Sequence, residues 1–151
     1  MKDIKDLLAA IEKSMYGKNF EVKLGIDVFE GNSLAEIEKA IEQRYTKINP
    51  VNLRSLAELD KEEFTKDIRE KLNYRGDETA GLILSKKQEE KLQILFSQYF
   101  DILASFENSC TKYHYFTDLE GLPCYPVFWD FGFVLFTDNK KIILVYGAAS
   151  D

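Results

Sequence analysis

The fold of this chain is decided by residues 127–146, which read VFWDFGFVLFTDNKKIILVY. Two β-rich apolar runs flank the polar residues 138–140, and such a short polar break is typical of a tight turn between paired strands. Residues 113–117 precede these runs as a third strand candidate, so the sequence predicts an antiparallel meander at the carboxyl end. Residues 20–29, in which apolar and polar side chains alternate, predict a fourth strand that joins the same sheet.

Helical periodicity fills most of the chain before this meander. Apolar side chains recur every three or four residues in four segments, the longest of which is predicted over residues 85–107. Each segment begins at a Ser or Asp, whose side-chain oxygen can accept hydrogen bonds from the first helical turn. A further single turn is predicted at residues 55–58. The expected first residues of the four helices are Asp3, Ser33, Asp60 and Ser85.

The fold class follows from the order of these elements. Helices and strands are segregated along the chain, which is typical of an α+β fold. We expect a small antiparallel sheet of three C-terminal strands plus one N-terminal strand, packed with about four helices. The chain has 151 residues and no linker-like or repeated segment, so residues 1–151 are expected to form a single domain.

Charge and composition exclude several classes of protein. Lys and Arg total 20 against 26 Asp and Glu, which gives a net charge of −6. A general nucleic-acid binder needs a basic face, so we expect no nucleic-acid partner. No apolar run approaches the roughly 18 residues that span a bilayer, and the amino end lacks the pattern of a secretory signal. We therefore expect a cytoplasmic protein without a membrane partner; its oligomeric state is left open.

Residues that carry chemistry are sparse. His114 is the one histidine, and Cys110 lies four residues before it, a spacing that offers only a thin basis for a thiolate nucleophile. Cys110 and Cys124 are expected to be reduced thiols, although a bridge between them is an alternative in an oxidising compartment. Two cysteines and one histidine do not supply the paired ligands of a zinc site. We expect no catalytic residues, no metal and no cofactor.

Aromatic and acidic side chains concentrate in the same part of the sequence. Residues 113–146 hold 10 of the 20 aromatic residues, and residues 101–151 hold 7 acidic against 3 basic side chains. On the strand that begins at Val127, one face is wholly apolar, and the other, from Phe128 through Asp130 to Phe136, is expected to be partly exposed. Aromatic candidates for partner binding are Tyr115, Tyr125 and Phe128, and acidic candidates are Asp118, Glu120, Asp130 and Asp138.

Two segments resemble the end of small bacterial immunity proteins. They are Tyr113-His114-Tyr115-Phe116-Thr117-Asp118-Leu119-Glu120-Gly121-Leu122-Pro123 and Phe128-Trp129-Asp130-Phe131-Gly132-Phe133. The shared features are an acidic turn, an aromatic strand with a Trp-Asp pair and a short closing hairpin, over about a quarter of the chain. The resemblance implies a cytosolic, non-catalytic protein that covers a toxin delivered between competing cells.

These observations predict a protein-binding function. Exposed aromatic side chains supply contact area, and carboxylates steer a positively charged partner toward it. The favoured hypothesis is an immunity-type inhibitor of a basic protein toxin. One alternative is an enzyme of unrecognised type with a pocket under the C-terminal sheet, including His114, Cys110 or Asp130. Another is a structural protein that self-associates through the apolar face of the helix at residues 85–107.

Overall fold

The computed structural model describes residues 3–31, 33–45, 56–117 and 119–151. Within these residues it contains four α-helices and five β-strands, which confirms the predicted α+β class. In chain order the elements are α1 (Ile4–Ser14), β1 (Glu21–Glu30), α2 (Leu34–Arg44), β2 (Ala57–Leu59), α3 (Lys61–Leu72), α4 (Lys86–Glu107), β3 (Cys110–Tyr115), β4 (Trp129–Thr137) and β5 (Lys141–Ser150).

The helices begin at the capping residues that the sequence predicts. The Ser85 hydroxyl accepts from the Gln88 backbone N–H, while the Gln88 side chain accepts from the Ser85 N–H, a complete capping box at the start of α4. Asp60 caps α3 in the same way by accepting from the backbone N–H of Glu63 at 2.8 Å. Asp3 and Ser33 do so for α1 and α2.

The sheet has the order β1-β5-β4-β3-β2, and all neighbouring strands are antiparallel. The predicted count of four strands is therefore wrong by one. The additional strand is β2, which pairs with Tyr113–Tyr115 of β3 where a helical turn was expected. A three-residue strand contains too few residues to show an alternating pattern, so its conformation is set by pairing with β3.

One face of the sheet is covered by α1, α3 and α4. The inward side chains of β4, which are Trp129, Phe131, Phe133 and Leu135, share this core with the apolar faces of the three helices. The side chains that α4 buries there are Leu92, Leu95, Phe96, Tyr99 and Leu103. The apolar face that the self-association hypothesis requires is therefore covered by the chain's own core.

The opposite face of β4 is covered at the centre of the strand, whereas Asp130 and Phe136 nearer its ends are half-buried, so the expected partial exposure holds only toward the ends. Val134 is fully buried there in a second cluster with Ile41 of α2. Phe116, Leu119 and Leu122 fold back over the same face. A Cβ atom at Gly132 would lie 2.6 Å from the Phe116 ring, so this close approach requires glycine. The segment predicted as a turn over residues 118–123 therefore contributes Leu119 and Leu122 to this covering layer, and Asp118 lies outside the described residues.

Candidate protein-binding site

Six of the seven predicted site residues fall in the described part of the chain, and Asp118 lies outside it. Tyr125 is 70% exposed and Tyr115 is 39% exposed, whereas Phe128 is half-buried. Glu120 and Asp138 are exposed, and Asp130 is half-buried.

The structure brings some of these residues together and separates others. Tyr125 and Phe128 precede β4 and Asp130 is its second residue, so all three lie at the end of the sheet where β4 begins. Asp138 follows the last residue of β4, which places it about 26 Å from Asp130 at roughly 3.3 Å per residue. Glu120 lies between Leu119 and Leu122, which cover the face of the sheet opposite α1, α3 and α4. The predicted patch is therefore centred on the start of β4 and does not extend to Asp138.

A cluster of rings marks this end of the molecule. The Phe128 ring lies 5.4 Å from Phe20 and 6.2 Å from Tyr74, measured between centroids. Tyr74 and Val127 are partly exposed beside it. We call Tyr74, Tyr125, Val127 and Phe128 the aromatic end. Tyr74 was not predicted, because it follows the last turn of α3 and no periodic pattern connects it with the carboxyl-terminal strands.

A groove lies beside the aromatic end, between α3 and the sheet, with a volume of about 420 Å³. Tyr115, Phe131 and Phe133 line it on the sheet side. Its other wall is a charged face of α3, and Asp130 lines it where β4 begins. Tyr115 and Asp130, which the sequence selected separately, therefore border one concave surface. Neither His114 nor Cys110 belongs to its lining.

The α3 wall of the groove carries an excess of negative charge. Asp67 pairs with Lys71 at 2.8 Å, and Glu70 lies 3.9 Å from Lys66. Glu63 adds a further carboxylate to this wall, and the neighbouring Asp60 raises the pKa of Glu63 by like-charge repulsion. Three carboxylates against two lysines leave the α3 wall with one net negative charge.

The two cysteines lie at opposite ends of β4. Cys110 pairs with Thr137 at one end of β4, whereas the Cys124 thiol interacts with Asp130 at the other end. That separation exceeds the roughly 7 Å limit between Cα atoms of a disulfide, so the intramolecular bridge is excluded. Burial raises the pKa of Cys110 and raises that of Cys124 to about 11, which keeps both thiols protonated at neutral pH. Burial also lowers the pKa of His114.

The residues that the structure describes hold no metal-binding cluster and no helix fit to cross a membrane. They contain no group of three or more His, Cys, Asp or Glu side chains placed to hold a metal ion. None of their helices is both long and apolar enough to cross a membrane.

Comparison with known proteins finds similarity in fold. No protein-family profile and no curated protein matches the chain. The structure is similar to that of citrus MAF1 crystallised in space group C 2 2 21, with a TM-score of 0.60 over 97% of this chain and 98% of that chain. A second crystal form of citrus MAF1, in space group P 31 2 1, gives a TM-score of 0.50 over 95% and 98% of the two chains. Because the sequence identity is 10% in both cases, the likeness concerns the fold alone.

Proposed function

We propose that this protein is a non-catalytic binding protein, and that it inhibits a basic protein toxin in the manner of the immunity proteins that its carboxyl-terminal segments resemble. The observation that carries the proposal is the position of Tyr125 and Phe128 beside a groove bordered by Tyr115 and Asp130. Exposed aromatic surface and carboxylates occur together at one corner of the molecule.

The aromatic end has the features of the centre of a binding interface. Tyrosine is enriched at such centres because its ring supplies a large contact area and its hydroxyl group tolerates water. The exposed Tyr125 ring costs little conformational entropy to immobilise, and Val127 and Tyr74 extend the apolar area around it. These residues favour a protein surface as the ligand.

Electrostatics favour a basic partner. The whole chain carries a net charge of −6, and two carboxylates of the groove are close in the chain to the aromatic end: Asp130 follows Phe128 by two residues, and Glu70 precedes Tyr74 by four. Carboxylates so placed raise the association rate with a positively charged protein, an effect that salt screens. A basic toxin domain, such as a nuclease that must bind phosphates, has this charge.

Site-specific photocrosslinking tests the proposal. A benzophenone amino acid replaces Tyr125 in one variant and Ile94 in a control, because Ile94 is 60% exposed on α4 and lies outside the aromatic end. In cells of the source organism, we expect Tyr125→benzoylphenylalanine to capture a partner that the control does not capture. Mass spectrometry then identifies the captured protein.

The second stage of this experiment measures neutralisation. The captured protein is expressed alone and together with the wild-type chain in a heterologous host. We expect it to arrest growth when expressed alone, and we expect co-expression to restore growth. A captured protein that is harmless, or whose toxicity is unchanged by co-expression, would contradict the immunity function.

A further inference from the structure

The groove between α3 and β4 combines an aromatic surface with a charged surface. The Tyr115 ring, which is 39% exposed, supplies the accessible aromatic surface on the sheet side, whereas the rings of Phe131 and Phe133 are buried in the core. Helix α3 presents charges of both signs opposite Tyr115. A volume of about 420 Å³ lies within the range of ligand pockets in proteins. A suitable occupant has a flat or apolar part that contacts the Tyr115 ring and a polar end that reaches α3.

The charge of the groove decides the sign of that polar end. Four acidic residues line it, namely Glu63, Asp67, Glu70 and Asp130, against the two lysines Lys66 and Lys71. Even with both lysine ion pairs formed, the lining has a net charge of −2. An anionic group would be repelled, whereas a cationic side chain gains from the field of α3.

We propose that this groove receives an arginine side chain of the protein partner. The inference rests on the proposed function and specifies how the partner is recognised. A guanidinium is planar and stacks on aromatic faces, while its five N–H groups can donate to more than one carboxylate. The same chemistry operates within this chain, where the Arg69 guanidinium lies 4.1 Å from the centre of the Phe100 ring. Lysine has a compact ammonium group, which cannot stack on an aromatic ring as a planar guanidinium does.

A peptide titration tests the inference without the natural partner. Tetra-arginine and tetra-lysine are titrated into the ¹⁵N-labelled full chain at low salt, and amide chemical shifts are followed. We expect tetra-arginine to bind about fivefold more tightly than tetra-lysine and to shift Tyr115 and Phe131 most. Equal affinities, or shifts concentrated away from the groove, would overturn the proposal.

Two double variants with the same change in net charge separate the groove from the general field. Glu63→Gln with Glu70→Gln removes two carboxylates from the groove. Glu62→Gln with Glu90→Gln removes two exposed carboxylates outside its lining. We expect the first pair to weaken tetra-arginine binding about fivefold and the second to change it less than about twofold. Equal weakening by both pairs would show diffuse attraction and overturn the assignment.

The captured partner provides a second arm that separates this inference from the proposed function. Its affinity is measured for wild type and for both double variants by calorimetry. Loss of affinity confined to the groove pair supports both proposals. The wild-type chain could neutralise and crosslink to the partner while the variant Glu63→Gln with Glu70→Gln binds that partner with unchanged affinity. This result would overturn the arginine site and leave the inhibitor function standing.

Discussion

Asp27 makes two polar contacts on the face of the sheet opposite α1, α3 and α4. Its carboxylate is 14% exposed and accepts from the Arg44 guanidinium at 3.0 Å and from the Tyr45 hydroxyl. The Tyr45 hydroxyl also lies 3.1 Å from that of Tyr146. These contacts fasten the end of α2 to β1. Asp27→Ala leaves Tyr45 and Arg44 without their shared acceptor.

We expect Asp27→Ala to lower the free energy of unfolding by about 2–3 kcal/mol, because hydrogen bonds to a charged and largely buried group are strong. Urea denaturation followed by circular dichroism measures the change. The matched control is Asp138→Ala, whose exposed side chain should cost less than about 0.5 kcal/mol. Similar losses in both variants would contradict a special role for Asp27.

Tyr146 makes the same cluster sensitive to alkaline pH. Burial raises the pKa of Tyr146 from its usual 10.0 to about 12. A raised folded-state pKa means that the unfolded chain loses its proton first, so this contribution is complete below pH 10 and is lost as the pH rises toward 12. We expect Tyr146→Phe to flatten the fall in unfolding free energy between these values, measured by urea titrations at several pH values. An unchanged slope would be inconsistent with this account.

Element boundaries were predictable wherever a local signal sets them. Ser85 and Asp60 start helices because their own side chains satisfy the first N–H groups, and the strict alternation of β1 is visible without tertiary information. Three-residue β2 has no such signal, since it extends only by pairing with β3. The burial of Val134 was missed for a related reason, because its cover comes from side chains that a turn-like segment brings back.

Strand β1 has an edge that helix α1 protects. It lies at one margin of the sheet formed by the described residues, where outward N–H groups could pair with another chain. The carboxylate of Glu12 on α1 accepts from the backbone N–H of Leu24 at 2.9 Å. The helix thus supplies an acceptor that a neighbouring strand would otherwise supply.

We expect Glu12→Ala to reduce the free energy of unfolding by about 1–2 kcal/mol, because a partly buried N–H group loses its acceptor. Self-association should also increase, which sedimentation velocity at several concentrations detects. Glu12→Gln is the control, since its amide oxygen still accepts. If Glu12→Ala and Glu12→Gln are equally stable and equally monodisperse, the Leu24 contact does not protect the edge.

At the scale of the whole molecule, the sequence predicts which segment holds the candidate residues, but it does not predict the shape of the surface around them. Tyr125, Phe128 and Asp130 are neighbours in the chain, so their proximity was predictable. The groove was not, because its second wall belongs to α3, about 60 residues earlier in the chain. Asp138 shares the composition of the region but lies beyond the other end of β4. The acidic and aromatic content of a segment does not distinguish the two ends of a strand, whereas a binding surface lies at one end.

This separation of the two ends makes a charge-reversal experiment decisive. Replacing Asp118, Glu120 and Asp130 by lysine changes the net charge by +6, and so does replacing Glu30, Glu36 and Asp138, which lie at the end of the sheet where β4 finishes. If the partner approaches the start of β4, the first triple variant should slow association about tenfold at low salt and weaken its salt dependence. The second should slow it far less, because Glu30 and Asp138 lie at the far end of the sheet, roughly 26 Å along β4 from Asp130 and well beyond a Debye length of about 10 Å.

Stopped-flow association rates with the captured partner, measured across a range of salt concentrations, test this difference. Dissociation rates should change less than association rates, since long-range attraction acts mainly before contact. Circular dichroism of both triple variants checks that each remains folded. If both triple variants associate equally slowly, the partner responds to net charge alone. The start of β4 is then not supported as the binding site.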